Sequence, residues 1–182
     1  MKKAIIIGAS SGIGKGISIE LLKRNYKIGI TARRKDKLDE IKILYPDNVI
    51  VYPFDSSKEK NDEMLKYLTE KLGGLDLLIY SSGIGIVNKE LDYDIEQKVN
   101  NLNVNGFTQV VGWGFNYFKN QGYGQISNIS SVASEIGNGI CPSYNASKAY
   151  QANYLQGFRC KAYRLKLPIK LIDVRPGFVD TD

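Results

Sequence analysis

The segment from Tyr144 to Lys148 combines a phenol and an amine four positions apart. Residues i and i+4 of a helix share one face, so these side chains point the same way if the segment is helical. An ammonium group favours the ionised form of a nearby phenol, which can then exchange a proton with an alcohol or carbonyl oxygen. Ser131 lies thirteen residues earlier, and its hydroxyl could orient a substrate carbonyl. These residues predict acid–base chemistry on such an oxygen.

The chain has no histidine and only two cysteines, which excludes several other chemistries. Without histidine there is no Ser-His-Asp or Cys-His nucleophile and no histidine-ligated zinc. Cys141 and Cys160 are too few for a cysteine-rich metal site, so we predict no metal. They also form no disulfide framework, which favours reducing surroundings and a cytoplasmic location.

The composition predicts one globular domain over residues 1–182, because 43% of the residues are hydrophobic and 24% are charged. No run of about 18 apolar residues is present, so we expect no membrane-spanning helix. The net charge is +6, but the densest basic cluster, Arg33 to Lys37, is interrupted by Asp36. Scattered charge of this kind does not indicate nucleic-acid binding.

Apolar strand-like runs alternate with stretches of helical periodicity along the chain. The predicted strands are Ala4–Ile7, Lys27–Thr31, Val49–Tyr52, Leu75–Tyr80, Gln125–Ser130 and Ile169–Val174. The predicted helices are Gly14–Asn25, Asp36–Leu44, Lys58–Leu72, Asp92–Asn120 with a break near Gly106, and Tyr144–Leu167. Repeated β-α-β units predict an α/β fold, a doubly wound parallel sheet with helices on both faces. Ligands of such sheets bind beyond the carboxyl ends of the strands.

A glycine-rich turn joins the first predicted strand to the first predicted helix, with the sequence Gly8-Ala9-Ser10-Ser11-Gly12-Ile13-Gly14. Glycines permit a tight turn and a close approach of the backbone to a phosphate, and the helix N-terminus offers free N–H groups. A nucleoside-triphosphate-binding loop would need glycine in place of Ala9 and Ser or Thr in place of Gly16. We therefore interpret the segment as a dinucleotide-binding turn.

The end of the second predicted strand distinguishes between the two nicotinamide cofactors. The dinucleotide fingerprint usually carries an acid there, which binds the adenosine ribose. This chain instead has Ala32 followed by Arg33 and Arg34, whose guanidinium groups suit a 2′-phosphate by charge and geometry. The pattern favours NADP(H) over NAD(H).

Together, the glycine turn, Ser131, the pair Tyr144 and Lys148, and Pro176-Gly177 resemble the short-chain dehydrogenase/reductase family in order and spacing over the whole chain. The resemblance implies a Rossmann-type fold and hydride transfer to or from the nicotinamide C4. It implies that Tyr144 is the general acid–base and that Lys148 also binds the nicotinamide ribose. It further implies that Ser131, rather than Ser130, is the catalytic serine.

The same resemblance implies roles for residues outside those motifs. Asn103 matches a helix asparagine that holds a water in a proton relay, and Asn105 is its rival. Asp55 matches the acid that meets the adenine, and Thr181 matches the threonine near the carboxamide. The expected cofactor-binding residues are Gly8, Ser10, Ser11, Gly12, Ile13, Gly14, Arg33, Arg34, Asp55, Ser82, Gly83, Tyr144, Lys148, Pro176, Gly177 and Thr181.

The chain departs from the family pattern in two places. The family usually has Asn-Asn-Ala-Gly after the fourth strand, whereas this chain has Tyr80-Ser81-Ser82-Gly83. Gly83 keeps the backbone role, and the serines replace part of the hydrogen bonding. Family members also continue beyond the Pro-Gly loop with a substrate-covering segment, a helix and a seventh strand. We therefore expect this chain to be a C-terminally truncated form of a longer dehydrogenase.

The expected function is NADP(H)-dependent reduction of a carbonyl, or oxidation of the corresponding alcohol, at a site of Ser131, Tyr144, Lys148 and Asn103. The alternative is a catalytically silent nucleotide-binding or redox-sensing module. The expected partner is a small molecule rather than nucleic acid or membrane, and the full-length form is expected to be a homo-oligomer, a dimer or tetramer. Either an apolar substrate pocket or ordinary core packing would explain Ile86, Val132, Ile136, Ile140 and Phe178.

Overall fold

The computed structural model of the chain describes residues 1–58 and 60–179. Its centre is a parallel sheet of six strands in the order β3-β2-β1-β4-β5-β6. The strands are β1 (Lys3–Ile7), β2 (Lys27–Ala32), β3 (Val49–Pro53), β4 (Leu77–Tyr80), β5 (Gly124–Ile129) and β6 (Ile169–Val174). Each neighbouring pair is parallel, so the predicted parallel sheet is confirmed.

Along the chain the helices alternate with the strands, as β-α-β units require. They are α1 (Gly12–Lys23), α2 (Lys35–Leu44), α3 (Asn61–Leu72), α4 (Tyr93–Asn100), α5 (Phe107–Gln121) and α6 (Pro142–Arg164). A π-helical segment, Asn101–Gly106, joins α4 to α5, so the predicted break near Gly106 is a change of helical pitch within one continuous helix. Within residues 1–58 and 60–179, no helix is long and apolar enough to cross a membrane.

The central strand β1 supplies apolar side chains to both faces of the sheet, because successive side chains of a strand point to opposite sides. Ile5 and Ile7 belong to the core that the sheet forms with α3, α5 and α6. Ala4 and Ile6 belong to the core that it forms with α1 and α2. These four side chains are fully buried, and burying an isoleucine contributes about 1.5–3 kcal/mol. The doubly wound arrangement follows from this continuous apolar run.

The strand order reverses at β1, and this reversal fixes where a ligand can bind. β2 and β3 lie on one side of β1, whereas β4, β5 and β6 lie on the other. The chain leaves β1 at Gly8, whose N–H donates to the carbonyl of Thr31 over 2.8 Å. Crossovers therefore diverge from this point and leave a crevice at the carboxyl ends of the strands.

The starts of α1, α3 and α6 differ from their predicted positions by two or three residues, and for α1 and α3 the neighbouring chain explains the difference. α1 begins at Gly12 rather than Gly14, so the glycine turn itself contributes the first helical turn. α3 begins at Asn61 rather than Lys58, and the Asn61 side-chain amide donates to the carbonyls of Ser56 and Lys58. Such side-chain bonds stop the helix from extending toward β3.

Candidate active site

A cleft of about 780 Å³ runs along the carboxyl ends of the strands and brings together seven separated segments of the chain. Nearly all of the predicted cofactor-binding and catalytic residues line it. They are Gly8, Ser10, Ser11, Gly12, Ile13, Gly14, Arg33, Arg34, Asp55, Ser82, Gly83, Ser131, Tyr144, Lys148, Pro176 and Gly177. The crevice expected from the strand order is therefore also where these side chains converge.

The glycine turn at one end of the cleft is packed too closely for side chains. A Cβ on Gly14 would lie 2.1 Å from the carbonyl oxygen of Gly8, and Gly8 itself has φ of +90°. A Cβ on Gly8 would lie 2.7 Å from the backbone nitrogen of Ser82. The N-cap of α1, Ser11, makes no side-chain cap bond, and the first turn holds no acidic residue. The turn thus presents backbone N–H groups to the cleft and fits an anionic phosphate.

Arg34 reaches from the end of β2 back to the glycine turn. Its Nη2 donates to Ser11 Oγ over 2.7 Å and to Ser10 Oγ over 3.1 Å. Arg33 also lines the cleft, and Ala32 occupies the position where an acid would bind a ribose. One guanidinium and two hydroxyls therefore form a small polar cluster beside the turn. This donor set fits a phosphate monoester on the adenosine ribose.

Asp55 lies after β3, on the same side of the cleft as the arginines. Its Oδ1 accepts hydrogen bonds from the N–H and the hydroxyl of Ser57, at 3.0 and 2.7 Å. These bonds fix the carboxylate while leaving it on the cleft wall. Such a carboxylate can accept a hydrogen bond from an adenine amino group. The contact with adenine that the family resemblance implies stays a prediction.

Tyr144 and Lys148 lie on the cleft-facing side of α6, as their spacing predicts. The Lys148 Nζ is 5.8 Å from the centroid of the Tyr144 ring. Gly85 packs against that ring, where an added Cβ would lie 3.1 Å from Tyr144 Cδ2. Gly83 packs against the amine in the same way, since its Cβ would lie 3.1 Å from Lys148 Nζ. The two glycines after β4 thus leave room for both functional side chains.

Lys148 is a buried amine with its donors directed at neutral acceptors. The residue is only 4% exposed. Its Nζ donates to the carbonyl of Ile129 over 3.0 Å and to Gln151 Oε1 over 3.2 Å. Burial lowers the pKa of Lys148 to about 8, while the carboxylate of Asp173 acts in the opposite direction. A buried amine with so low a pKa is typical of functional sites.

Ser130 and Ser131 are the first two residues after β5, and the two side chains have different surroundings. Ser130 Oγ donates to the carbonyl of Val174 in β6 over 3.3 Å. Ser131 Oγ accepts from the N–H of Ala133 over 3.1 Å, which leaves its own hydrogen free to donate into the cleft. The geometry therefore favours Ser131 over Ser130, in agreement with the family spacing.

Asn103 lies within the π-helical segment and is fully buried. Its Oδ1 accepts from the N–H of Ile84 over 3.0 Å, and its Nδ2 donates to the carbonyl of Ile84 over 2.9 Å and to Ser147 Oγ over 3.0 Å. Asn105, the rival for the same role, is exposed and bonds Asn101 instead. Asn103 thus joins the segment after β4 to α6.

The match to known proteins extends over almost the whole chain. Residues 2–182 match the family model described as short chain dehydrogenase. The chain belongs to the short-chain dehydrogenase family. An uncharacterised oxidoreductase of Staphylococcus aureus is 31% identical over 184 residues, which cover 99% of this chain and 79% of the relative. Membership makes the chain an oxidoreductase by family.

Solved structures of this family superimpose on the whole chain. A short-chain dehydrogenase from Streptomyces avermitilis has a TM-score of 0.92 at 25% identity, over 100% of this chain and 67% of that one. ElxO, solved with NADP bound, has a TM-score of 0.90 at 26% identity, over 100% of this chain and 75% of that one. The expected Rossmann-type fold is confirmed.

The departure from the family pattern after β4 has a structural explanation in this short-chain dehydrogenase. Tyr80 is fully buried, and its hydroxyl donates to the carbonyl of Leu102 over 2.7 Å. Its ring meets Phe107 edge to face at 5.3 Å. Burial raises the pKa of Tyr80 far above its ordinary value, so this phenol stays protonated. Tyr80 therefore attaches the π-helical segment to the sheet.

Three polar residues of the site were missed by sequence reasoning because their types are ordinary on a helix or strand. Asn145 donates to the carbonyls of Ala133 and Ile136, over 3.1 and 2.7 Å, and so attaches the loop after Ser131 to α6. Gln151 and Asn128 lie buried behind Lys148. Two of the three lie on the buried face of α6, which is itself rich in polar residues, so their polarity gave no distinct signal. Thr181, expected near the carboxamide, lies outside the described residues.

Proposed function

We propose that this short-chain dehydrogenase uses NADP(H) to reduce a small-molecule carbonyl to an alcohol, or to oxidise the corresponding alcohol. The observation that carries this function is the convergence of Tyr144, Lys148 and Ser131 on the cleft that also holds the glycine turn and Arg34. A relative of similar structure, ElxO, was solved with NADP bound, which supports the choice of cofactor.

The chemistry is divided between the cofactor and three side chains. When bound, NADPH supplies the hydride that adds to the carbonyl carbon. Ser131 donates a hydrogen bond to the carbonyl oxygen, and Tyr144 donates its proton to the same oxygen as negative charge develops there. The carbonyl therefore gains one hydride and one proton and becomes the alcohol. The Lys148 ammonium stabilises the phenolate that Tyr144 leaves behind.

Several apolar side chains line the cleft, which bears on the class of carbonyl. Val132, Ile136 and Phe178 line the cleft and are largely exposed to it. Carbonyl groups attached to apolar or aromatic bodies would bury this surface, since transfer of apolar area from water is favourable. We therefore propose an apolar aldehyde or ketone as the substrate class.

Replacing Tyr144 by Phe tests this function most directly. Tyr144→Phe removes one hydroxyl from a half-buried ring, so we expect an unchanged fold and NADPH affinity within about twofold. The rate of NADPH oxidation with a panel of aldehydes and ketones should fall by at least about 100-fold, the usual size of lost acid–base help.

The matched control is Tyr150→Phe, because Tyr150 lies on the same helix and bonds Thr108 outside the cleft. This variant should keep normal turnover. Near-normal turnover of Tyr144→Phe would refute the mechanism, and no turnover of any carbonyl by the wild-type protein would refute the function. A homo-oligomeric state and a cytoplasmic location stay predictions, and the mass of the protein in solution decides the first.

A further inference from the structure

Gln151 is a fully buried polar residue behind the catalytic pair. It follows Lys148 by three positions on α6, and none of its surface is exposed. Burying a primary amide without partners is unfavourable, because its hydrogen bonds to water are lost and not replaced. A glutamine in this position therefore needs a set of polar partners, and the proposed chemistry assigns it no task.

The partners of Gln151 are the two groups between which it lies. Its Nε2 donates to the backbone carbonyl of Asn103 over 2.8 Å, and its Oε1 accepts from Lys148 Nζ over 3.2 Å. An ammonium can only donate and a carbonyl can only accept, so the amide has one orientation that satisfies both. Asn128 Nδ2 approaches the same Oε1 at 3.5 Å from β5.

We propose that Gln151 is a positioning residue for Lys148, which joins the ammonium to the Asn103 carbonyl and so holds it against Tyr144. The consequence for catalysis rests on the proposed function, whereas the contact itself does not. Two fixed acceptors, Gln151 Oε1 and the Ile129 carbonyl, direct the amine toward Gly83 and the Tyr144 ring. Without one of them a flexible lysine side chain would sample several rotamers.

The electrostatic surroundings of Lys148 make this acceptor important. Tyr144 is the titratable group of the same helix that lies beside Lys148, and Asp173 from β6 is the carboxylate that acts on it. Asp173 is itself bound by Arg175 Nε and Asn128 Nδ2, at 2.8 and 2.9 Å. The π-helical segment and β5 contribute only uncharged groups, Asn103, Asn128 and the Ile129 carbonyl. Besides the charge of Asp173, the charged amine therefore meets the neutral dipoles of Gln151 and the Ile129 carbonyl, both in direct hydrogen bonds.

The chemistry of an amide also limits what this link can do. Its nitrogen donates and its oxygen accepts, so the amide orders both neighbours without passing a proton from one to the other. The water expected at Asn103 from the family resemblance would serve as a relay, whereas Gln151 connects Asn103 to Lys148 through protein atoms. Gln151 therefore affects the protonation state and the orientation of the Lys148 amine, and it takes no part in proton transfer.

The test replaces Gln151 by Met and by Glu in the full chain. Gln151→Met keeps the length and removes the acceptor, so the pKa of Lys148 should fall by about one pH unit. Gln151→Glu places a carboxylate beside the amine, so that pKa should rise. The direct measurement is NMR titration of lysine labelled with ¹³C at Cε, in which the Lys148 resonance is identified by its absence from Lys148→Met.

The second measurement separates positioning from a general loss of structure. For NADPH-dependent reduction at neutral pH, kcat of Gln151→Met should fall by about tenfold while KM for the carbonyl changes by less than about twofold. Gln156→Met is the control, because Gln156 is an exposed glutamine on the same helix. It should leave the Lys148 titration, kcat and KM unchanged.

The possible outcomes distinguish this role from the proposed function. Opposite displacements of the Lys148 titration in Gln151→Met and Gln151→Glu would support positioning, even if the wild-type protein reduced no carbonyl. A Lys148 titration that both variants leave unchanged would overturn it, even if their thermal stability fell. If Gln151→Met did not fold, the direction of the change in Gln151→Glu would still decide the matter.

Discussion

Arg34 and Arg33 show how adjacent residues of one type acquire different roles. Arg34 bonds Ser10 and Ser11 across the cleft mouth, whereas Arg33 makes no side-chain hydrogen bond within the described residues. A guanidinium held by two hydroxyls is already oriented when a phosphate arrives, so less conformational entropy is lost on binding. Arg34 is therefore the stronger candidate for the 2′-phosphate.

We expect NADPH to bind at least about tenfold more tightly than NADH, and Arg34→Ala to remove most of this preference. Arg33→Ala serves as the matched control and should have the smaller effect. Calorimetric titration of each variant with both cofactors measures this directly. Equal wild-type affinities, or an equal loss of NADH and NADPH binding in Arg34→Ala, would contradict a role specific to the 2′-phosphate.

Lys148 should make the stability of the protein depend on pH in a defined window. Its pKa is about 8 in the fold against an ordinary value of 10.5, so the unfolded chain binds this proton more tightly. Stability must therefore rise as pH increases between these values, by about 3 kcal/mol at most. Lys148→Met lacks this contribution.

Urea denaturation of both proteins across this window provides the measurement. The free energy of unfolding of Lys148→Met minus that of the wild type should decrease as pH rises from about 8 to about 10.5. Comparing the two proteins cancels the titration of the other lysines and tyrosines. A difference that stays constant with pH would show that Lys148 is not held as a buried charge.

The π-helical segment between α4 and α5 is hydrogen-bonded both to β4 and to the chain that follows β4. Tyr80 of β4 bonds the Leu102 carbonyl, and Asn103 turns its amide toward the segment after β4. π-helical turns inside α-helices often occur at functional sites because they redirect backbone groups. The last residue of this segment, Gly106, lies so close to Ser56 that an added Cβ would be 2.2 Å from its carbonyl oxygen.

Gly106→Ala should destabilise the fold by about 1–3 kcal/mol, because backbone would have to move to admit the methyl group. Ser56 follows Asp55, so the same variant should also weaken NADPH binding. Gly112→Ala is the control within α5, since an added Cβ there meets nothing within 4 Å. It should stabilise the helix by up to about 1 kcal/mol. Chemical denaturation of both variants tests the contrast, and similar values for the two would refute the close approach.

At the scale of the whole molecule, the sheet explains why distant segments share one cleft. Parallel strands all end at the same edge, so the segments after β1 to β6 meet there although they are far apart in the chain. The net charge of +6 is spread over the surface, but Arg33, Arg34 and Lys148 lie on this cleft. An anionic dinucleotide would thus be attracted to the same edge that orients it.

The sequence by itself was sufficient to predict the fold and most of the residues that line the cleft. Alternating apolar runs predicted each strand within about two residues, because buried parallel strands have few alternatives in composition. Local spacing was enough to predict two features of the site, the turn from Gly8 to Gly14 and the pair of Tyr144 and Lys148. A tight turn and one face of a helix are both local properties of the chain.

The tertiary structure alone decided which side chains complete the site. Sequence spacing cannot place Arg34 on Ser11, Asn145 on the loop after Ser131, or Gln151 between Asn103 and Lys148. Each of these bonds joins elements whose separation in space is set by sheet order and helix packing. An amide or guanidinium acts through the partner it meets, and that partner is fixed only when the layers pack.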